Sequence, residues 1–130
     1  MKILVGYDGS NSGKEALNLA KNHALAFKGE VEVITSMQKG TEKDREDMEQ
    51  AERGLEYAEV LFKENNIPCK THLLIRGLTP GEDLVEFAKE NNIDEIVVGV
   101  KRRSKVGKLL MGSHAQYVIL NAHCPVVTVK

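Results

Sequence analysis

The sequence predicts an open, doubly wound α/β domain with five parallel strands and four helices. Short β-branched runs alternate with longer segments of helical spacing from one end of the chain to the other. This alternation is typical of a parallel sheet that is covered by helices on both faces. A length of 130 residues suits one domain with its own core. We therefore expect a single domain over residues 1–130.

The first strand and the first helix are joined by a turn. A β-rich run at Lys2–Tyr7 is closed by the turn residues Asp8-Gly9-Ser10. Ser12, with Glu15 three residues later, forms a capping box that predicts the start of the first helix. A second strand is predicted at Glu30–Ser36.

Three further helices are predicted from their spacing and their caps. The charge-rich segment Lys39–Asn66 keeps apolar residues at helical intervals, which indicates an amphipathic helix. Thr79 and Glu82 form a capping box around Pro80, and Ser113 and Gln116 repeat that pattern before the last helix. The remaining strands are predicted at Ile67–Arg76, Asp94–Gly99 and Pro125–Val129.

The composition argues against several classes of protein. A net charge of −1 does not favour binding to nucleic acid, and no apolar run approaches the ~20 residues of a membrane helix. The N-terminal segment has only three consecutive apolar residues and is typical of a strand, not of a signal peptide. Cys69 and Cys124 are far apart and form no CxxC motif. We expect a cytoplasmic protein that binds neither nucleic acid nor membrane.

A basic segment between the fourth strand and the last helix is the strongest functional signal. Positions 101–108 hold five of the 18 Lys and Arg residues and no acidic residue. The segment ends at Gly112-Ser113, where the last helix is predicted to start. Because the N–H groups of a helix N-terminus are unpaired and carry partial positive charge, this geometry suits an anion. The sequence therefore predicts a phosphate-bearing ligand at the carboxyl edge of the sheet, where Asp8 also lies.

Three common phosphate-related motifs do not match. Gly107-Lys108 is followed by Leu109, so the segment is not a Walker A loop. No GxGxxG motif follows the first strand, which disfavours a dinucleotide fold. A phosphoreceiver domain needs an acidic pair after the first strand and an acceptor Asp after the third, but Asp8 stands alone and the third strand ends in Ile75-Arg76-Gly77.

Two parts of the chain resemble a small, single-domain universal stress protein. They are residues 3–10, with the sequence ILVGYDGS, and the C-terminal third from Val97-Val98-Gly99 through Gly112-Ser113 to residues 124–129. The resemblance covers essentially the whole chain. It implies the strand order 3-2-1-4-5, an adenine nucleotide as the ligand, and a stress-response or signalling role. It also implies a homodimer formed through the last strand, Val126–Val129.

The resemblance extends to a spaced glycine motif, with one departure. The ATP-binding branch of the family has Gly, two residues, Gly, nine residues, then Gly and Ser or Thr. Gly99, Gly112 and Ser113 match this pattern, but Arg102 replaces the second glycine. A glycine there permits a left-handed backbone, whereas an arginine in that conformation would cost about 1–2 kcal/mol. Arg102 either blocks the nucleotide or supplies a charge to its phosphates, and we favour retained binding.

The resemblance and the phosphate hypothesis together nominate a set of binding residues. Gly99, Gly112 and Ser113 would donate hydrogen bonds to the phosphates. Asp8 would contact the ribose or a Mg²⁺ ion. Val98 and the end of the second strand would pack against the base. The expected ligand is ATP, ADP or AMP, and no catalytic or metal-ligating residue is predicted. The full set of predicted binding residues is Asp8, Val33, Val98, Gly99, Arg102, Arg103, Lys105, Gly112, Ser113 and His114.

Two other functions stay open at this stage. A slow ATPase or phosphotransferase would need a metal ligand and a water-positioning group, and Asp8 is the one convincing carboxylate for either role. The other alternative is an interaction module with an empty pocket, and the replacement of the motif glycine by Arg102 would then indicate the loss of nucleotide binding. We favour a protein that holds the nucleotide without fast turnover.

Overall fold

A computed structural model describes residues 1–38, 44–100 and 112–130 of the chain. Within these residues, five strands form one parallel sheet with the order β3-β2-β1-β4-β5, and four helices cover it. The predicted fold class and strand order are confirmed. The strands are β1 Lys2–Gly6, β2 Glu30–Ser36, β3 Cys69–Leu74, β4 Glu95–Gly99 and β5 Val126–Val129, and the helices are α1 Asn11–Phe27, α2 Asp44–Glu64, α3 Pro80–Glu90 and α4 Ser113–Asn121.

Each face of the sheet carries its own hydrophobic core. Because side chains alternate along a strand, Ile3 and Val5 of β1 pack with α1 and α2 on one face, while Leu4 packs with α3 and α4 on the other. All three are fully buried. The central strands are therefore apolar on both sides, which is typical of a doubly wound sheet.

The chain reverses its direction of winding at β1, and this creates the crevice that can hold a ligand. β1 lies between β2 and β4, so the connections after β1 and β2 lead toward one edge of the sheet, whereas those after β3 and β4 lead toward the other. The loops after β1 and β4 therefore separate at the carboxyl edge of the sheet. Ligands of open α/β sheets bind at such a point.

The helix starts agree with prediction at α3 and differ from it at α1 and α4. Thr79 forms the predicted capping box with Glu82. At α1, however, the cap is Ser10, whose hydroxyl accepts a hydrogen bond from the Gly13 N–H at 3.1 Å. The prediction of Ser12 was wrong because the turn after β1 places Ser10 in the extended conformation that a cap requires.

At α4 the cap is Gly112, and the predicted capping box of Ser113 is not formed. Gly112 has the extended backbone of a cap (φ −63°, ψ 156°) and, as a glycine, supplies no side-chain cap hydrogen bond. Ser113 is already the first helical residue, so its hydroxyl is not placed as a cap would be. The start predicted for the second helix, at Lys39, lies outside the described residues, and α2 is described from Asp44.

Candidate functional site

A cleft of about 150 Å³ opens at the carboxyl edge of the sheet, where β1, β2 and β4 end. Its floor is apolar and includes Ile34, Leu84 and Val98. Polar groups stand around it, among them Asp8 at the end of β1 and His114 in the first turn of α4. A shaped apolar floor with a few polar groups is the usual composition of a small-molecule site.

The N-termini of three helices converge on this cleft. It is lined by Ser10 and Gly13 from α1, by Pro80 from α3, and by His114 and Ala115 from α4. Each helix start carries partial positive charge from its backbone N–H groups. The electrostatic potential from all three helix starts therefore favours an anion bound in this cleft.

Side-chain capping distinguishes α4 from the other two helices. Ser10 accepts the N–H of Gly13 in α1, and Thr79 accepts the N–H of Glu82 in α3 at 3.3 Å. Gly112 makes no such bond in α4, and a Cβ at Gly112 would have no neighbouring atom within 4 Å among the described residues. The start of α4 is therefore the place in this cleft best suited to a phosphate.

Gly99 has a packing function that its place in the motif does not suggest. It lines the cleft at the end of β4 and lies directly against the first turn of α1. A Cβ at Gly99 would lie 2.6 Å from the backbone carbonyl carbon of Ser12. Glycine is required here because any larger residue would push the start of α1 away from β4.

Asp8 is oriented by the turn that follows β1. Its Oδ1 accepts a hydrogen bond from the backbone N–H of Ser10 at 2.9 Å, so the carboxylate lies beside the start of α1. The buried ring of Tyr7 precedes it, and burial, followed by the charges of Tyr57 and Asp8, raises the pKa of the Tyr7 hydroxyl. Asp8 lines the cleft at the end of β1, the strand that lies between β2 and β4.

The network around Asp83 was missed by the sequence analysis. Asp83 is fully buried in the first turns of α3, and its carboxylate accepts hydrogen bonds from the Ser36 hydroxyl and from Arg76 Nε, the latter at 2.8 Å. The hydrogen bond to Asp83 raises the pKa of the Arg76 guanidinium. One signal was available: Asp83 precedes the buried Phe87 by four residues, so it occupies an inward position of an amphipathic helix.

The predicted binding residues divide into three groups. Asp8, Val98, Gly99 and His114 line the cleft, and Gly112 and Ser113 begin the helix that bounds it. Val33 is fully buried in the core beneath α1 and α2, so its side chain belongs to that core and not to the cleft wall. The charged residues Arg102, Arg103 and Lys105 lie outside the described residues.

Other ionisable groups lie away from the cleft. His23 pairs with Glu95 at 2.6 Å and His72 with Glu32 at 3.0 Å, so each joins two neighbouring elements. Burial, with the nearby charges of Glu59 and Glu32, raises the pKa of the Cys69 thiol to about 11, and Cys69 therefore stays protonated at neutral pH.

The described residues contain neither a candidate metal cluster nor a helix suited to cross a membrane. Across residues 1–38, 44–100 and 112–130, no group of three or more His, Cys, Asp or Glu side chains is placed to hold a metal ion. No helix in the same ranges combines the length and the apolar character that crossing a membrane requires.

Comparisons with known proteins identify a group that shares this fold. A family model described as the universal stress protein family matches residues 1–130. A universal stress protein of Thermus aquaticus is 33% identical over 134 residues, which cover 98% of this chain and 97% of the relative.

Solved structures agree along the whole chain. The universal stress protein from Archaeoglobus fulgidus superimposes with a TM-score of 0.90 at 35% identity, covering 100% of this chain and 98% of the other. A structure of the universal stress protein from the same organism in complex with dAMP has a TM-score of 0.84 at 31% identity, with coverage of 100% and 98%.

Proposed function

The chain belongs to the universal stress protein family, and we propose that it binds an adenine nucleotide at the carboxyl edge of its sheet. One observation carries the proposal: α4 starts at an apolar cleft with Gly112 as its cap, which supplies no side-chain hydrogen bond, unlike Ser10 at α1 and Thr79 at α3. A nucleotide has the matching chemistry, with an anionic phosphate at one end and a flat aromatic base at the other. The dAMP complex of the Archaeoglobus relative supports this choice of ligand.

The order of the strands supports one direction for the nucleotide in the cleft. Its phosphates would lie at the start of α4, against the backbone N–H groups of Gly112, Ser113 and His114. Since α4 follows β4, and β2 lies beyond β1 on the far side of the cleft, the base would extend toward the end of β2. It would rest against Ile34 and Leu84. The ribose would then lie near Asp8.

The basic segment would supply counter-charge to the phosphates. In this proposal Arg102, Arg103 and Lys105 neutralise phosphate charge. Arg102 stands where the family motif has a glycine, and its guanidinium would bind a phosphate, whereas a glycine would contribute only its backbone freedom. The ligand would be ATP, ADP or AMP. A Mg²⁺ ion accompanying ATP would use the phosphates and Asp8, since Mg²⁺ is commonly bound by one or two carboxylates together with substrate phosphates.

We propose a binding protein and not an enzyme. Among the described residues that line the cleft, Asp8 is the one carboxylate, whereas phosphoryl transfer needs both a metal ligand and a group that orients the nucleophile. The protein would hold its nucleotide without fast turnover, in the cytoplasm, in a stress-response or signalling role. A slow hydrolase would release phosphate from ATP in a well-washed sample, and an empty interaction module would bind no nucleotide.

The test exchanges Gly112 for two residues of almost equal shape. Asp and Asn are both preferred helix caps, and the backbone of Gly112 already has the conformation of a cap. We expect Gly112→Asp to lose detectable binding of AMP, ADP and ATP in calorimetry, because its carboxylate would occupy the phosphate position. Gly112→Asn is the matched control without the charge and should retain measurable binding. Equal affinity of the two variants would contradict the proposal.

We also propose that the protein is a homodimer joined through β5. β5 is the last strand of the sheet and pairs with β4 on one side only. Ile96 and Val100 of this ladder donate to the carbonyls of Pro125 and Val129, at 3.0 and 2.6 Å. Because successive residues point their N–H and C=O groups to opposite sides, those of Val126 and Thr128 face outward. A second β5 can pair with them about a twofold axis.

A further inference from the structure

We propose that Gly81, near the start of α3, is a positioning residue for the phosphate end of the cleft, and that Asp83 holds α3 in the place this requires. This role rests on the proposed nucleotide site, where the phosphate lies at the start of α4. The cap of α4, Gly112, offers no side-chain hydrogen bond. The first turn of α4 therefore depends on contacts with other elements for its position.

The hydrophobic core holds α4 only from its third residue onward. Gly112, Ser113 and His114 are exposed, whereas the buried residues of the helix are Ala115 and Val118. The backbone N–H groups that would bind phosphate therefore precede the part of α4 that the core holds.

Gly81 brings the backbone of α3 directly against this first turn. It is a buried residue of α3. A Cβ at Gly81 would lie 3.0 Å from the carbonyl oxygen of His114, 3.3 Å from the Cα of His114 and 3.2 Å from the Cβ of Tyr117. Carbon atoms in contact ordinarily lie about 3.5–4.0 Å apart. Since glycine weakens a helix relative to alanine, the close approach of α3 to α4 explains its presence here.

The same turns of α3 are also fixed to the sheet. Leu84 packs on β1, where a Cβ at Gly6 would lie 2.8 Å from Leu84 Cδ1. Asp83 is fully buried, and its carboxylate accepts hydrogen bonds from the Ser36 hydroxyl at the end of β2 and from Arg76 Nε at 2.8 Å. A buried carboxylate that loses such partners is strongly disfavoured. α3 is therefore held close to the sheet, and α4 rests on a fixed support.

The test separates the phosphate of the ligand from its base and ribose. AMP and adenosine differ only in the phosphate, so the ratio of the Kd of adenosine to the Kd of AMP measures what the phosphate contributes. We expect this ratio to be about tenfold or more in the wild type, because hydrogen bonds to a charged group are among the strongest in proteins. Competition against a fluorescent adenine nucleotide measures both Kd values on one protein sample.

Gly81→Ala should lower this ratio by about threefold or more. Its Cβ would push the His114 backbone away by a few tenths of an ångström, and the N–H groups of α4 would then make longer and weaker hydrogen bonds to the phosphate. The control is Gly54→Ala, which adds the same methyl group to a helical glycine of α2, 3.1 Å from Tyr7 Cε2. The control should keep the wild-type ratio. The two variants should have similar Tm values without ligand, since both gain helix propensity and both meet a close neighbour.

Asp83→Asn tests the anchor of α3. It keeps the shape of the side chain but removes the charge that pairs with Arg76, so α3 should be held less firmly and the ratio should also fall severalfold. If AMP binds with the expected ratio but Gly81→Ala or Asp83→Asn keeps that ratio, or if Gly54→Ala lowers it equally, the positioning role is refuted while nucleotide binding stands. If the wild type does not bind AMP, the proposed function fails and the positioning role fails with it. Should one of the two variants not fold, the ratio of the other decides.

Discussion

At the scale of single residues, two glycines of the same motif have different functions. Gly99 is needed by the fold, because β4 and the first turn of α1 approach too closely for a side chain. Gly112 has a backbone that any residue adopts, and no atom of the described residues lies within 4 Å of its Cβ position. Among the described residues, a side chain is therefore excluded at Gly99 and tolerated at Gly112, although the motif presents the two glycines as equivalent.

The same substitution at the two positions should separate packing from binding. We expect Gly99→Ser to lower the free energy of unfolding by about 2–3 kcal/mol, because the new side chain meets the Ser12 backbone. Gly112→Ser should leave stability unchanged or slightly raised, since Ser is a preferred cap. Urea denaturation of both variants in the absence of nucleotide measures the difference. Equal loss in the two would show that the contact at Gly99 relaxes without strain.

At the scale of elements, side-chain caps decide which helix start remains available. The first turn of α3 is closed by Thr79 and Glu82, and the hydrogen bond from the Thr79 backbone N–H, followed by that from its side chain, lowers the pKa of the Glu82 carboxyl. α1 is closed by Ser10. The cap of α4, Gly112, offers no side-chain hydrogen bond, so a bound anion there would supply the interaction that Ser10 and Thr79 supply at the other two helices.

Removing the hydroxyl from two helix starts tests this assignment. Thr79→Ala should lower the free energy of unfolding by about 1 kcal/mol, the usual value of a cap. Ser113→Ala should change it by less than about 0.5 kcal/mol in the free protein, because Ser113 is exposed and makes no cap hydrogen bond. Thermal or chemical unfolding without ligand gives both numbers. A loss of 1 kcal/mol from Ser113→Ala would mean that Ser113 is the cap after all.

At the scale of the whole molecule, β5 forms one edge of the sheet, and its pairing with β4 fixes which of its backbone groups face away from the sheet. Val127 and Val129 pack against the core beneath α1, and Val126 packs against the core beneath α4. A lysine at Val127 would therefore disturb the core as well as any dimer. Thr128 is exposed, and its N–H faces away from β4. This position permits a test of assembly that spares the fold.

If the proposed dimer forms through β5, Thr128→Pro should convert it into a monomer. Proline lacks the outward N–H but keeps the backbone angles of an edge strand, and the ladder to β4 is untouched. Light scattering at micromolar concentration should give about twice 14.4 kDa for the wild type and 14.4 kDa for the variant. Thr128→Ala retains the N–H and should remain a dimer. A monomeric wild type, or a dimeric proline variant, would contradict pairing through β5.

Local periodicity was enough to determine the fold class, the order of elements along the chain and the capping box at Thr79, because these depend on residues close in sequence. The sequence also predicted that β1 ends near Asp8 and that the last helix starts near Gly112-Ser113, since turns and helix starts have local sequence signatures. The strand order followed from resemblance to a family. It agrees with the structure.

Only the tertiary structure decided how distant residues meet. It showed that Gly99 lies against Ser12, that Val33 faces the core beneath α1 and α2, and that the carboxylate of Asp83 joins Ser36 to Arg76. These facts depend on the packing of α1 and α3 onto the sheet, and a one-residue change in register exchanges the two faces of a strand. Local spacing did not predict the contacts of Gly99 with Ser12 and of Asp83 with Ser36, because each of them joins elements that are far apart in the sequence.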